Sequence, residues 1–93
     1  MPATESAKKR QRQAGKRRLR NRVYRSRART YVKQTTSLMD QGKLDEAAQA
    51  AQLAVSALDR TAQKGVVHRR NADRRKSRLM KRLQQAQAES AER

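Results

Sequence analysis

The sequence predicts an all-α fold: an antiparallel three-helix bundle whose long basic N-terminal helix projects beyond it. Three observations carry that expectation. Apolar residues recur every three or four positions in three separate stretches, Gly42 and Gly65 stand in the two gaps between them, and the sole proline, Pro2, precedes them all. Strand signals are missing, because β-branched and aromatic residues are sparse and no alternating run occurs.

In the first stretch Tyr24, Ala28, Tyr31, Thr35 and Leu38 recur at spacings of four, three, four and three, with Val32 and Met39 beside them. At about 100° per residue these share one sector of a helix and leave Arg25, Arg29 and Lys33 outside it. The periodicity and the charge pattern predict helix 1 over residues 8–41, after a tail at 1–7. Residues 8–22 differ from the remainder, since Lys8, Arg10, Arg12, Lys16, Arg18, Arg20 and Arg22 leave no continuous neutral face. Such a segment does not pack on its own bundle; in free solution it is expected to be largely unstructured, becoming helical against a polyanion.

The second stretch, Leu44, Ala48, Ala51, Val55, Leu58 and Ala62, predicts helix 2 over 44–64, with Asp45 and Glu46 complementing the positive end of its dipole. The third, Ala72, Leu79, Leu83 and Ala86, predicts helix 3 over 68–88, before a tail at 89–93. Arg70, Arg74, Arg78, Lys81 and Arg82 fall roughly opposite that face, while Lys76 lies toward it, where its stem can pack and its head escape. Glycine is the usual residue past a helix C-terminus because it takes positive φ at little cost. Short connections at Gly42 and Gly65 therefore make the three helices antiparallel neighbours.

At 93 residues the chain has room for a single small domain, and its core is thin, with no Phe or Trp and much alanine. Such a core yields only a few kcal/mol net. Charge dominates the composition. From Met1 to Met39 there are thirteen Lys and Arg against Glu5 alone, and the whole chain has a net charge of +17. The balance runs basic, mildly acidic from Asp40 to Gln63, and basic again from Lys64 to Leu83, where Asp73 is the only acid. Like-charge pairs four apart (Lys8–Arg12, Arg12–Lys16, Lys16–Arg20, Arg18–Arg22, Arg25–Arg29, Arg29–Lys33) each cost about 0.2–0.5 kcal/mol, roughly 1–3 kcal/mol together. A polyanion removes that penalty, so nucleic acid is the expected partner.

Other classes find little support. No Cys rules out a disulfide framework or thiolate metal site. His68 is the only histidine and has no second base, nucleophile or carboxylate pair at meaningful spacing; no glycine-rich phosphate loop exists, so no enzyme activity, cofactor, metal or small-molecule substrate is expected. The longest apolar runs span two or three residues, which excludes a bilayer span, and the start lacks the apolar core of a secretory signal. A transit peptide is not expected either, because the basic run feeds into a core-forming helix.

The kind of nucleic acid follows partly from composition. Single-strand binders stack bases on exposed aromatics, whereas Tyr24 and Tyr31 lie on the apolar stripe. Folded RNA read through phosphates and shape needs only Arg and Lys, and Arg outnumbers Lys seventeen to eight. A helix-turn-helix reading fails because Asn71, Gln84 and Gln85 form no base-reading set. Two rivals share the charge: a histone-like protein binding duplex DNA, and a cationic membrane-surface helix. The second needs bulky apolar residues beside the basic stripe, and Lys8 to Arg18 contains none.

Ser6-Ala7-Lys8-Lys9-Arg10, then Arg17-Arg18, Asn21, Arg25-Ser26, Arg29-Thr30 and Lys33, resemble the first helix of the bacterial small ribosomal subunit protein twenty family. Lys64-Gly65-Val66-Val67-His68-Arg69 and Arg74-Arg75-Lys76-Ser77-Arg78-Leu79 form a more specific second block. The resemblance spans nearly the whole length, with an alanine-rich, poorly specified middle. It departs after His68, where Arg70 stands at the family's usual Asn and Asn71 follows it, and at Asp73, which replaces a usual small residue.

The resemblance implies a three-helix structural component that binds directly to 16S ribosomal RNA early in assembly, at the foot of the subunit body. It implies no catalysis, cofactor or metal, and a cytoplasmic location in a ribosome of bacterial type beside other small-subunit components. Lys8, Lys9, Arg10, Arg17, Arg18, Asn21, Arg25, Ser26, Arg29 and Lys33 carry over from the first block as RNA contacts. His68, Arg69, Arg74, Arg75, Lys76, Ser77 and Arg78 carry over from the second.

Overall fold

A computed structural model describes residues 4–92. Of the expected tails, residues 1–3 and Arg93 lie outside the described residues. Three helices follow one another, α1 (Glu5–Asp40), α2 (Leu44–Gln63) and α3 (Arg69–Ala91), and no strand occurs among the described residues. Helix α1 starts three residues earlier than the charge pattern predicts. Thr4 caps it, its Oγ1 accepting from the Ala7 amide at 3.2 Å, and Glu5 sits in the first turn, where an acid is favoured. Helix α3 runs three residues further than expected, through Ala91.

Both turns close in the same way. Gly42 and Gly65 take positive φ, 77° and 72°. The Gly42 and Lys43 amides donate to the carbonyls of Met39 and Leu38, and the Gly65 and Val66 amides to those of Ala62 and Thr61. This is a Schellman closure, which satisfies the last helical carbonyls and reverses the chain within a few residues. Val66 is buried as it leaves the second turn.

The antiparallel arrangement is visible in the two core clusters. One joins Ala28 of α1 to Ala57 and Leu58 late in α2 and Ala72 early in α3, with Tyr31, Val32, Ala62 and Val67 packed around them. The other joins Ala47 and Ala51 early in α2 to Leu83 late in α3, with Leu38, Met39 and Ala48 against them. Helix α2 is the centre: α1 and α3 each pack against it and scarcely touch one another. Its buried face is accordingly wider than the sequence stripe. Ala47, Ala50, Ala54 and Ala57 are buried beside Ala51 and Leu58, whereas Leu44, Ala48, Val55 and Ala62 are only half-buried. Small side chains on that second row let two neighbouring helices approach at once.

Little of α1 takes part in this packing. Only Ala28 and Thr35 are fully buried on it, and every residue from Lys8 to Arg20 is exposed. A 36-residue helix is about 54 Å long, which stretches the molecule to 69 × 22 × 18 Å. The segment expected to be unstructured in the free chain is thus a continuation of α1. The composition of the arm allows it, because Ala, Arg, Lys and Gln are good helix formers that need no tertiary partner to sit in helical φ/ψ.

Candidate nucleic-acid interface

The arm supplies the first surface. Lys8, Lys9, Arg10, Arg17 and Arg18 are all exposed on it, together with Arg12, Lys16, Arg20, Arg22 and Arg27 along the same helix. Successive bases point around the whole circumference, so phosphates on several sides can be met at once. No acid follows Glu5 until Asp40, and the field along the arm is of one sign.

The second surface is a groove between α1 and α3 with a volume of about 320 Å³. Ala28, Val32, Leu58 and Leu79 line its apolar floor, with the buried α2 residue Leu58 lying beneath because α1 and α3 stand apart. Arg29 and Lys33 from α1 face Arg75, Arg78 and Arg82 from α3 across it. No acidic side chain lines the groove, and none of these five cations is in an ion pair among the described residues. Residues from the two sequence blocks thus meet at one place. Arg82 was not among the sequence candidates, although the Arg75–Arg78–Arg82 spacing of three and four marks one helix edge.

Other candidates are engaged within the protein. The Arg25 guanidinium donates through Nη2 to the Val66 carbonyl at 3.2 Å, tying α1 to the α2–α3 turn. His68 caps α3, its Nδ1 accepting from the Arg70 amide at 3.1 Å. Arg69 lies 3.3 Å from Asp59 and 3.4 Å from Asp73, and Lys76 reaches Asp59 at 2.6 Å and Asp73 at 3.4 Å. The hydrogen bond that the Lys76 ammonium donates to the Asp59 carboxylate raises the Lys76 pKa above its ordinary 10.5, with smaller contributions from burial and Asp73 acting in opposite directions. Asp73 is therefore a partner for two neighbouring cations. These ion pairs lie on the opposite edge of α3's buried stripe from the groove.

Asn21 is half-buried at the root of the arm, and its side-chain carbonyl oxygen, like that of Asn71, is buried without a hydrogen-bond partner. Ser26, Arg74 and Ser77 are exposed outside the groove. Asp45 and Glu46 occupy the first turn of α2, and no group of three metal-ligating side chains is assembled among the described residues. No described helix is long and apolar enough to cross a membrane.

The sequence matches the family Ribosomal protein S20 over residues 2–84. The chain belongs to that family. A Thermomicrobium roseum protein, small ribosomal subunit protein bS20, is 50% identical, over 97% of this chain and 99% of its own. The Aquifex aeolicus protein of the same name is 46% identical over 97% of this chain and all of its own length, and the Nitrosococcus oceani one is 51% identical over 85% of this chain and 91% of its own. Membership of the S20 family makes the chain a ribosomal protein, a structural component rather than an enzyme. The S20 resemblance seen in the two basic blocks therefore holds at the level of the family.

Proposed function

We propose that this S20 family member binds directly to 16S ribosomal RNA in the small subunit of a bacterial cytoplasmic ribosome and helps that RNA to fold and assemble beside other small-subunit components. The observation that carries the reading is the acid-free arm: a helix exposed on every side from Lys8 to Arg20 and projecting past its own bundle. A solvated helix of that charge repels itself, and inserted among RNA helices it is neutralised from several directions. The relatives are named as small-subunit proteins, which favours ribosomal RNA over any other polyanion.

Lys8, Lys9, Arg10, Arg17 and Arg18 are the arm contacts in this reading, and Arg29, Lys33, Arg75 and Arg78 the groove contacts. Asn21, Arg25, Ser26, His68, Arg69, Arg74, Lys76 and Ser77 complete the surface, with Arg25, His68, Arg69 and Lys76 also holding the protein together. The contacts are to phosphate and shape, since neither tyrosine is presented on the arm. Competition at fixed salt tests the proposal: a 16S ribosomal RNA transcript displaces the protein from duplex DNA at far lower concentration than the reverse. Equal competition by duplex DNA supports the histone-like alternative instead.

A further inference from the structure

We propose that the groove between α1 and α3 receives one unstacked nucleobase of an RNA strand, while Arg29, Lys33 and Arg78 hold the phosphates on either side of it. The inference rests on the RNA-binding reading above and adds to it, because phosphate and shape contacts alone do not call for an apolar receptor.

Phosphate contact requires cations, and the exposed arm from Lys8 to Arg20 has them with Leu19 as its one large apolar side chain. The groove is built differently. Val32 and Leu79 put apolar side chains at the bottom of a cleft whose walls are entirely basic, on two helices whose participating residues are more than forty positions apart. An apolar floor inside a ring of cations matches a ligand that is flat and apolar on its faces and negatively charged on both flanks. A nucleotide in a strand has that form. Guanidinium planes stack on bases as well as binding phosphate, so Arg29 and Arg78 can close over the ring without an aromatic residue. Tyr31 in any case borders a different surface, beside Leu19, Val23 and Ser26.

Size narrows the occupant further. About 320 Å³ is at the small end of sites that enclose organic ligands, which run to roughly 300–1,000 Å³. It suits one ring system. Charge excludes a neutral apolar segment, since five unpaired cations would be desolvated around it with nothing to offset the cost.

Val32→Phe tests this, because it fills the cleft without removing a cation. Affinity for a 16S ribosomal RNA transcript is expected to fall at least about tenfold, in the range that loss of a stacked base produces, while the slope of log K against log salt stays unchanged. Arg78→Gln should instead lower that slope by about one. Circular dichroism and melting of the free variant verify that it folds. If it does not, a photo-crosslinking benzophenone residue in place of the exposed Arg82, which lines the groove outside the three phosphate-holding cations, gives the second measurement. Attachment to one unpaired base supports the proposal, and attachment spread over duplex backbone overturns it.

Unchanged RNA affinity in a folded Val32→Phe protein also overturns it, and leaves the RNA-binding reading intact. Should that variant keep RNA affinity but lose binding to a poly-glutamate peptide, the groove belongs to an acidic protein segment. Failure of the unaltered protein to bind the transcript removes both readings together.

Discussion

The Lys76 ammonium lies 2.6 Å from the Asp59 carboxylate and joins α3 to α2 beside their buried seam. Arg69 shares the same carboxylate at 3.3 Å, and Asp73 completes a four-residue cluster. The side chain of Lys76 is only 21% exposed, so its stem packs as the sequence suggests, but its head ends on an acid rather than in open solvent.

Removing that acid should therefore loosen the bundle and free charge at the same time. Asp59→Asn is expected to lower stability by about 1 kcal/mol, given the partial exposure of the pairs. In a domain this small that is a drop of several degrees in melting temperature. RNA binding, measured on the folded variant, should tighten slightly because one of the two acids beside Arg69 and Lys76 is neutralised. A drop in affinity with an unchanged melting temperature would contradict the structural role assigned to the cluster.

The same pair sets a pH dependence. The folded-state pKa of Lys76 is raised above its ordinary 10.5, so its contribution is fully present below pH 10.5 and is lost as pH climbs through the folded value. Between pH 6 and 9 this lysine should contribute no slope to stability, and Lys76→Gln should remove part of any decline measured above pH 10.5. Denaturant melts of both proteins across that range provide the measurement.

Leu58 is 1% exposed in the cluster that joins all three helices. Leu58→Glu places a charge there and should cost several kcal/mol, comparable to the stability of the domain itself. Leu53, on the same helix, is 53% exposed, and Leu53→Glu should change stability by no more than about 0.5 kcal/mol. Thermal melts of the two variants separate the buried face of α2 from its outer face.

Binding driven by phosphate neutralisation should weaken steeply with salt. With about six phosphates engaged, affinity for ribosomal RNA should fall roughly 10³-fold from 50 to 200 mM salt. A flat response would contradict the assignment of both the arm and the groove as contact surfaces.

The arm is helical, yet no tertiary contact holds the stretch from Lys8 to Arg20. Its amides should exchange rapidly in the free protein and slowly in the RNA complex, while those of α2 stay protected in both. Gly15 lies within α1, and a Cβ added there meets nothing within 4 Å. Gly15→Ala should accordingly stabilise the arm by about 0.8–1 kcal/mol and slow its exchange. Deleting residues 4–20 should leave the bundle folded and weaken RNA binding more than deleting the end of α3 from Glu89 onward. Strong protection of the arm without RNA would refute the idea that RNA fixes it.

By itself the sequence determined what depends on neighbours along the chain. Spacing of Tyr24, Ala28 and Thr35 fixed the inner face of α1, and glycine's access to positive φ fixed both turns. The unbroken charge of the arm foretold that it would stay clear of the bundle, and the two basic blocks carried the family. Tertiary structure decided what depends on residues far apart. Periodicity does not say how many neighbours a helix has, so the second alanine row of α2 became legible only when α1 and α3 were found on either side of it. Nor does a list of cations say which are free: Arg25, Arg69 and Lys76 look like Arg29, Arg75 and Arg78 until Val66 and Asp59 are brought beside the first three. The groove itself exists because α1 and α3 both lean on α2 without meeting, a relation set by packing across the bundle rather than by any local pattern.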